Sequence, residues 1–136
     1  MSADDEGGLD LSGDGDGIYS YSVPLPPVPF TAKLIERGGT LAGTIQEESV
    51  MGADRRRRRR TASVEGRRAG LAVIFLKRYQ DRAIRHDVEY DGASSADGAE
   101  VSGRWSIFGD GSGPFLMVRR PRKALARATQ AEAGIS

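Results

Sequence analysis

The side chains most able to do chemistry in this sequence lie in stretches where apolar and polar residues alternate. Lys77 and Tyr79 belong to "VIFLKRY", Glu47 to "TIQEE", and His86 to "IRHDVEY". A charged side chain that faces the interior needs a partner, because an unpaired buried charge costs several kcal/mol. The sequence therefore predicts an ion pair between Lys77 and Glu47, with His86 placed to join it.

Catalytic and metal chemistry find little support in the sequence. His86 is the single histidine, so a Ser-His-acid arrangement would depend on it, and no serine lies in a nucleophile-elbow motif. One histidine and no cysteine do not make the usual zinc site, and disulfides are excluded. The stretch "DLSGDGDG" begins like a calcium loop, but Tyr21 stands where a bidentate glutamate is required. We expect a protein that is not an enzyme and has no metal site and no cofactor.

A run of consecutive arginines is the other conspicuous feature. Because like charges repel, the run is predicted to form an extended, solvated loop. It is interpreted as a tolerated surface loop or as a guard that attracts an anionic ligand. No aromatic residues accompany it for base stacking, and 20 basic against 19 acidic residues leave a net charge of only +1, which argues against nucleic acid as a partner. The run comprises Arg55, Arg56, Arg57, Arg58, Arg59 and Arg60.

The elements that position these residues follow from a hydrophobic period of two. From residue 18 onward, short alternating runs are separated by turn signals every eight to twelve residues. This spacing predicts eight strands, with Gly38 and Gly39 forming a two-residue hairpin turn. The strands are predicted near Ile18 to Ser22, in "FTAKLIER", in "TLAGTIQEE", near Thr61 to Glu65, and in "LAVIFLKRY", "IRHDVEYDG", "EVSGRWSI" and "PFLMVRR".

The predicted fold class is all-β, an eight-stranded up-and-down antiparallel barrel. Short sequential strands joined by hairpins favour a barrel because closure removes exposed strand edges, and a two-sheet sandwich is the alternative. Residues 1–13 are predicted to be a disordered acidic tail, residues 14–121 the barrel domain, and residues 122–136 a C-terminal tail or short helix.

Alternation also assigns the two faces of the strands and one end of the barrel. The outward positions Ile35, Ile74, Leu76, Leu116 and Val118 are apolar enough to require cover by a partner or by the tails. In an antiparallel meander, odd strands end and even strands begin at the same rim. The candidate ligand-binding residues that this rule collects at one mouth are Tyr21, Glu47, Lys77, Tyr79 and His86.

The segment "GLAVIFLKRYQDRAIRHDVEYDGASSADGAEVSGRW" resembles the later strands of avidin and streptavidin. Phe75, Tyr90 and Trp105 fall where that family places rings around its ligand, so the resemblance adds them to the candidate ligand-binding residues. The resemblance implies an eight-stranded barrel with a ligand at its mouth, and a mobile connection between the third and fourth strands. Avidin-like sites enclose biotin with several tryptophans, whereas this chain has one, so the biotin site is not matched.

The chain also resembles a group of small bacterial barrel proteins through "PFTAKLIERGGTLAGTIQE", "FLKRY", "VEYDG", "GRW" and "GPFLMVR". This resemblance implies the fold and a bacterial source but no activity.

Two functions from different classes follow from these observations. The first is a barrel that binds a small, partly apolar or anionic ligand at its mouth. The alternative is a non-catalytic barrel with a filled core that associates with itself or with another protein, and a homo-oligomer is then expected. The acidic N-terminus has no apolar signal-peptide core and no apolar run approaches a membrane span, so we expect a cytoplasmic protein without a membrane partner.

Overall fold

The computed structural model describes residues 9–50, 57–81, 84 and 87–120, which form a closed antiparallel barrel. Each strand pairs with the next along the chain, and the last pairs with the first. The predicted eight-stranded up-and-down barrel is confirmed, and the sandwich is not formed. Within the described ranges, no helix is long and apolar enough to cross a membrane. The strands are β1 (Gly13–Tyr19), β2 (Val28–Arg37), β3 (Thr40–Val50), β4 (Arg57–Ala69), β5 (Ala72–Tyr79), β6 (Asp87–Ser94), β7 (Glu100–Ile107) and β8 (Gly111–Arg119).

The two faces of the wall follow the alternation of the sequence. In β2, Phe30, Ala32 and Leu34 are buried while the residues between them are exposed, and the same parity holds in the strands that follow. Burying this apolar face is the main force that closes the sheet. The five apolar positions predicted to face outward are 38% to 54% exposed, so β5 is covered on one face only.

Part of the arginine run is a strand, which corrects the prediction of a solvated loop. Residues 57 to 60 begin β4 and pair with β3, with Glu47 opposite Arg60 and Glu48 opposite Arg59. Opposite charges across a strand pair stabilise the pairing and offset the repulsion within the run. Arg55 and Arg56 lie outside the described residues.

The two ends of the barrel differ. At the end that we call the mouth, β1, β3, β5 and β7 end and the other strands begin. At the opposite end, which we call the base, a segment before β1 crosses the interior. Leu9 and Leu11 of this segment are buried in the core.

A buried ion pair holds the base segment in place. Arg68 Nη2 lies 2.6 Å from Glu36 Oε2 and donates a second hydrogen bond of 3.0 Å to the carbonyl oxygen of Leu9. Glu36 Oε1 accepts from the backbone N–H of Leu11 at 3.0 Å. Residues 9 to 13 had been assigned to the acidic tail, and β1 begins at Gly13, before its predicted start at Ile18. Residues 1–8 and 121–136, which include the predicted C-terminal tail, lie outside the described residues.

Glycine is required at two kinds of position. Gly38 and Gly39 have φ angles of 57° and 82° and form the predicted hairpin turn between β2 and β3. Gly103 of β7 has no such angle, but an added Cβ would lie 2.1 Å from the carbonyl oxygen of Asp91 on β6. Close approach of β6 and β7 therefore depends on the missing side chain.

Candidate ligand-binding pocket

A pocket of about 270 Å³ opens at the mouth of the barrel. Its volume lies just below the usual range for ligand sites, about 300–1,000 Å³. The residues that line it come from β1, β3, β4, β5, β6 and β7 and from the connections between strands. They are Tyr19, Tyr21, Glu47, Arg60, Lys77, Tyr79, Ile84, Val88, Tyr90, Trp105, Ile107 and Asp110.

The other two cavities are less suited to a ligand. One of about 20 Å³ lies at the base, between Leu11 and Met117, and is little larger than one water molecule. The other, of about 320 Å³, is a groove that includes exposed outer-wall residues such as Thr31, Gln46 and Glu48. The mouth pocket is therefore the site at which side chains from most of the strands converge.

The floor of the mouth pocket holds the ion pair predicted from the sequence. Lys77 Nζ lies 3.1 Å from Glu47 Oε2, and the two side chains are 1% and 3% exposed. The hydroxyls of Tyr19 and Tyr79 donate to Glu47 Oε1 at 3.2 and 2.7 Å. Both oxygens of the carboxylate are thus hydrogen-bonded, as a buried ion pair requires if its desolvation is to be offset.

Three tyrosine rings surround the ammonium group of Lys77. Nζ lies 4.6 Å from the ring centroid of Tyr19, 4.7 Å from that of Tyr79 and 5.3 Å from that of Tyr90. These distances allow cation–π attraction, which is strongest where water is excluded. Burial nevertheless lowers the pKa of Lys77 below its usual value, and the charge and hydrogen bond of Glu47 oppose this shift.

The tyrosines of the pocket are held in their neutral form. Burial raises the pKa of Tyr19, Tyr79 and Tyr90 well above the ordinary value, and the negative charge of Glu47 adds to the shift. Their hydroxyls therefore remain hydrogen-bond donors at all physiological pH values.

The upper wall of the pocket is aromatic. Tyr21 meets Tyr19 and Trp105 edge to face, with ring centroids 5.8 and 5.7 Å apart. Trp105 Nε1 donates to the carbonyl oxygen of Ser20 at 2.7 Å, which fixes the indole across the end of β1. These contacts hold flat apolar surfaces in place around the opening.

The interior below the pocket is filled. Phe75 stacks on Tyr90 with a centroid distance of 4.7 Å and an angle of 7° between the rings, and Phe115 packs edge to face against both. The resemblance to the avidin family had placed Phe75 among the ligand-binding residues, but it lies beside Tyr90, its partner on the neighbouring strand, and does not line the pocket. The barrel is thus neither open throughout nor filled throughout.

The structure brings together six of the eight predicted site residues. Phe75 is the exception just described, and His86 lies outside the described residues. Arg60 lines the pocket and pairs with Asp81 at 3.2 Å, whereas Arg59 is exposed on the outer wall and pairs with Glu48 at 3.3 Å. The six residues at the mouth are Tyr21, Glu47, Lys77, Tyr79, Tyr90 and Trp105.

Tyr19 is a pocket residue that the sequence analysis missed. It shares the parity of Tyr21 along the chain, so the alternation that placed Tyr21 inside contained the signal for Tyr19 as well. Ile84, Val88, Ile107 and Asp110 complete the lining. Val88 and Ile107 share the inward parity of Tyr90 and Trp105 on their own strands.

Comparison with known proteins places the chain by its fold. No protein-family model and no curated protein matches it. Among solved structures it is similar to a de novo designed fluorescence-activating β-barrel, with a TM-score of 0.52 and 16% sequence identity over 81% of this chain and 93% of that one. At this identity the likeness concerns the fold alone, and it agrees with the strand order described above. The chain is a small, closed, antiparallel β-barrel with a pocket at one end.

Proposed function

We propose that the protein binds a small ligand, flat and largely apolar with at least one polar group, in the mouth pocket. The observation that carries this proposal is the hydroxyl of Tyr90. The residue lines the pocket, and its hydroxyl makes no hydrogen bond to another described residue. Protein does not enclose this hydroxyl, so it is open to hydrogen-bond with a polar group of a ligand in the pocket.

The charged side chains around the pocket are largely paired with one another. Lys77 and Glu47 neutralise each other on the floor, and Arg60 in the wall pairs with Asp81. Asp110 also lines the pocket. An anionic group on the ligand is therefore proposed from the arginine run of the sequence, whose long-range attraction of anions would weaken as salt rises.

The relationship to known barrel families, the cellular location and the lack of catalysis are inferred from the sequence. We propose that the barrel is related to the avidin-like and bacterial barrels that it resembles, and that it acts in the cytoplasm without catalysis. Supporting this are the residues of the 70–107 segment and the position of the pocket at the mouth, beside Tyr90 and Trp105. The single tryptophan argues against biotin as the ligand.

Trp105, the single tryptophan, makes a direct test of the pocket feasible. We would titrate the protein with 8-anilino-1-naphthalenesulfonate, an anionic aromatic dye, and follow energy transfer from the indole. Val88→Phe introduces an aromatic ring at a buried pocket position and should abolish dye binding. Ile74→Phe introduces the same ring on the exposed outer face and should leave dye binding unchanged. Equal binding by both variants would overturn the proposal. Comparison with uncharged N-phenyl-1-naphthylamine measures the contribution of the anionic group.

Self-association is a second candidate function, and a specific patch favours it. Ile18 of β1 lies directly opposite Leu116 of β8, and Val118 follows on the same outer face. All three are about 40% exposed, and apolar neighbours on adjacent strands form a continuous surface. Sedimentation velocity at increasing concentration tests this, with Leu116→Lys expected to dissociate any dimer. A wild-type protein that stays monomeric at all concentrations would exclude it.

A further inference from the structure

We propose that Lys77 is a covalent capture site for aldehydes, whose ε-amine forms an imine with a small aromatic or conjugated aldehyde held in the mouth pocket. The inference rests on the proposed function, since the aldehyde must first occupy the pocket. It goes further by naming a chemical class of ligand and the atom that reacts.

The surroundings of Lys77 suit the product of this reaction. Lys77 lines the pocket, and its Nζ lies 3.1 Å from Glu47 Oε2 and 4.6 to 5.3 Å from three tyrosine ring centroids. A protonated imine carries its positive charge on that same nitrogen. Glu47 and the rings that stabilise the ammonium therefore also stabilise the iminium, while the apolar part of the aldehyde lies against the aromatic wall.

Burial, in contrast to Glu47 and the rings, favours the reactive form of the amine. Only a neutral amine attacks a carbonyl, and lysines that form imines in proteins are those desolvated in apolar pockets. Burial lowers the pKa of Lys77, which raises the fraction of neutral amine. Lys33, by contrast, is exposed on the outer face of β2. The chain therefore carries its own comparison between a buried and an exposed lysine.

Glu47 supplies the proton transfers that the reaction needs. The Lys77 ammonium first passes a proton to the carboxylate, and the nitrogen lone pair then attacks the aldehyde carbon to form a carbinolamine, with one proton moving from nitrogen to oxygen. The Glu47 carboxylic acid returns its proton to the hydroxyl, which leaves as water while the carbon–nitrogen double bond forms. One water is released, and the carboxylate again faces one positive charge.

The experiment uses 4-(dimethylamino)cinnamaldehyde, whose protonated imine absorbs at longer wavelength than the aldehyde. The full-length protein is incubated with the aldehyde, reduced with borohydride and mapped by peptide mass spectrometry. We expect labelling of Lys77 to exceed that of Lys33 by about tenfold or more. Lys123 and the N-terminal amine serve as further internal references. Labelling spread evenly over the amines, or absent from Lys77, would overturn the proposal.

A variant and a matched alcohol separate this inference from the proposed function. The double variant Lys77→Met with Glu47→Gln removes both charges together, so neither is left buried alone, and it should lose the long-wavelength band. Lys33→Arg should keep it. The corresponding cinnamyl alcohol has no carbonyl and reports non-covalent binding through Trp105. If the alcohol binds and the aldehyde does not label Lys77, covalent capture fails and the pocket stands; if neither binds, both proposals fail for this ligand class.

Discussion

Lys77 and Glu47 meet across the barrel interior from strands that are not hydrogen-bonded to each other. Lys77 is on β5 and Glu47 is on β3, with β4 between them, and their charged atoms are 3.1 Å apart. The pair therefore joins two parts of the wall independently of the backbone ladder. It also divides the interior into an aromatic core below and a pocket above.

Substituting one residue of this ion pair should destabilise the barrel strongly, and substituting both together should destabilise it less. Glu47→Gln and Lys77→Met, each made alone, should lower the free energy of unfolding by about 3–5 kcal/mol, because one buried charge is left without its partner. The double variant should lose less than the sum of the two single variants. Urea denaturation of all four proteins measures this coupling, and strictly additive losses would contradict it.

Alkaline pH should unfold the barrel. The pKa values of Tyr79 and Tyr90 are raised above the ordinary 10.0, so their contribution to stability is complete below that pH and is lost as the pH rises further. Lys77, whose pKa is lowered, acts in the opposite direction, but it is outnumbered by the buried tyrosines. The melting temperature, followed by circular dichroism, should fall above about pH 10. A flat profile to pH 11.5 would contradict this.

Tyr90→Phe isolates the contribution of one hydroxyl. Because this hydroxyl has no hydrogen bond to a described residue, its removal should change the free energy of unfolding at pH 7 by less than about 1 kcal/mol. The ring and its stacking on Phe75 are kept. The alkaline loss of stability should become shallower, since one ionising group is gone. A large loss at neutral pH would show that the hydroxyl is needed for the fold rather than left for a ligand.

Two arginines in ion pairs should differ sharply in their effect on stability. Arg59 and Glu48 form an exposed pair, so Arg59→Thr should cost at most about 1 kcal/mol. Arg68 and Glu36 are largely buried at the base, so Arg68→Met should cost about 3–5 kcal/mol by leaving the carboxylate buried without its charge partner. Chemical denaturation of the two variants in parallel tests the difference. Equal losses of stability in the two variants would contradict the expected difference between an exposed and a buried ion pair.

Gly103→Ala should disturb the pairing of β6 with β7. The new Cβ would lie 2.1 Å from the carbonyl oxygen of Asp91, and backbone does not yield as a flexible side chain does. We expect a loss of about 1–3 kcal/mol, or more where the strands separate. Ser102→Ala, at the neighbouring exposed position, is the matched control and should be nearly neutral. Thermal unfolding of the pair makes the comparison.

The sequence predicted the faces of the strands better than their ends. Side chains alternate strictly across a sheet, so apolar parity alone identified the interior residues of β2, β3 and β7. The start of β1 is rich in glycine and aspartate, and the start of β4 is arginine. Neither segment has an apolar signal of its own. Both form strands because a neighbouring strand supplies backbone hydrogen bonds and, for β4, opposite charges. Their strand character therefore depends on residues elsewhere in the chain.

Phe75, expected at the site from the avidin resemblance, shows what parity leaves open. Parity tells which side of the wall a residue occupies but not its height along the barrel. Phe75 precedes Lys77 by two residues on β5, which puts it about 7 Å further from the mouth, stacked beside the ring of Tyr90. The pairing of Lys77 with Glu47 was predictable because charge demands a partner, whereas the depth at which the aromatic core ends depends on packing among three strands.

The segment that carries Leu9 and Leu11 closes the barrel interior at the base. A ligand that reaches the floor of the pocket has the filled core beneath it, so it can leave only through the mouth by which it entered. Exchange of one ligand for another is then strictly sequential, because the second ligand has no separate entrance and can bind only after the first has dissociated. The exchange rate therefore equals the dissociation rate of the first ligand, and raising the concentration of the second ligand does not increase it.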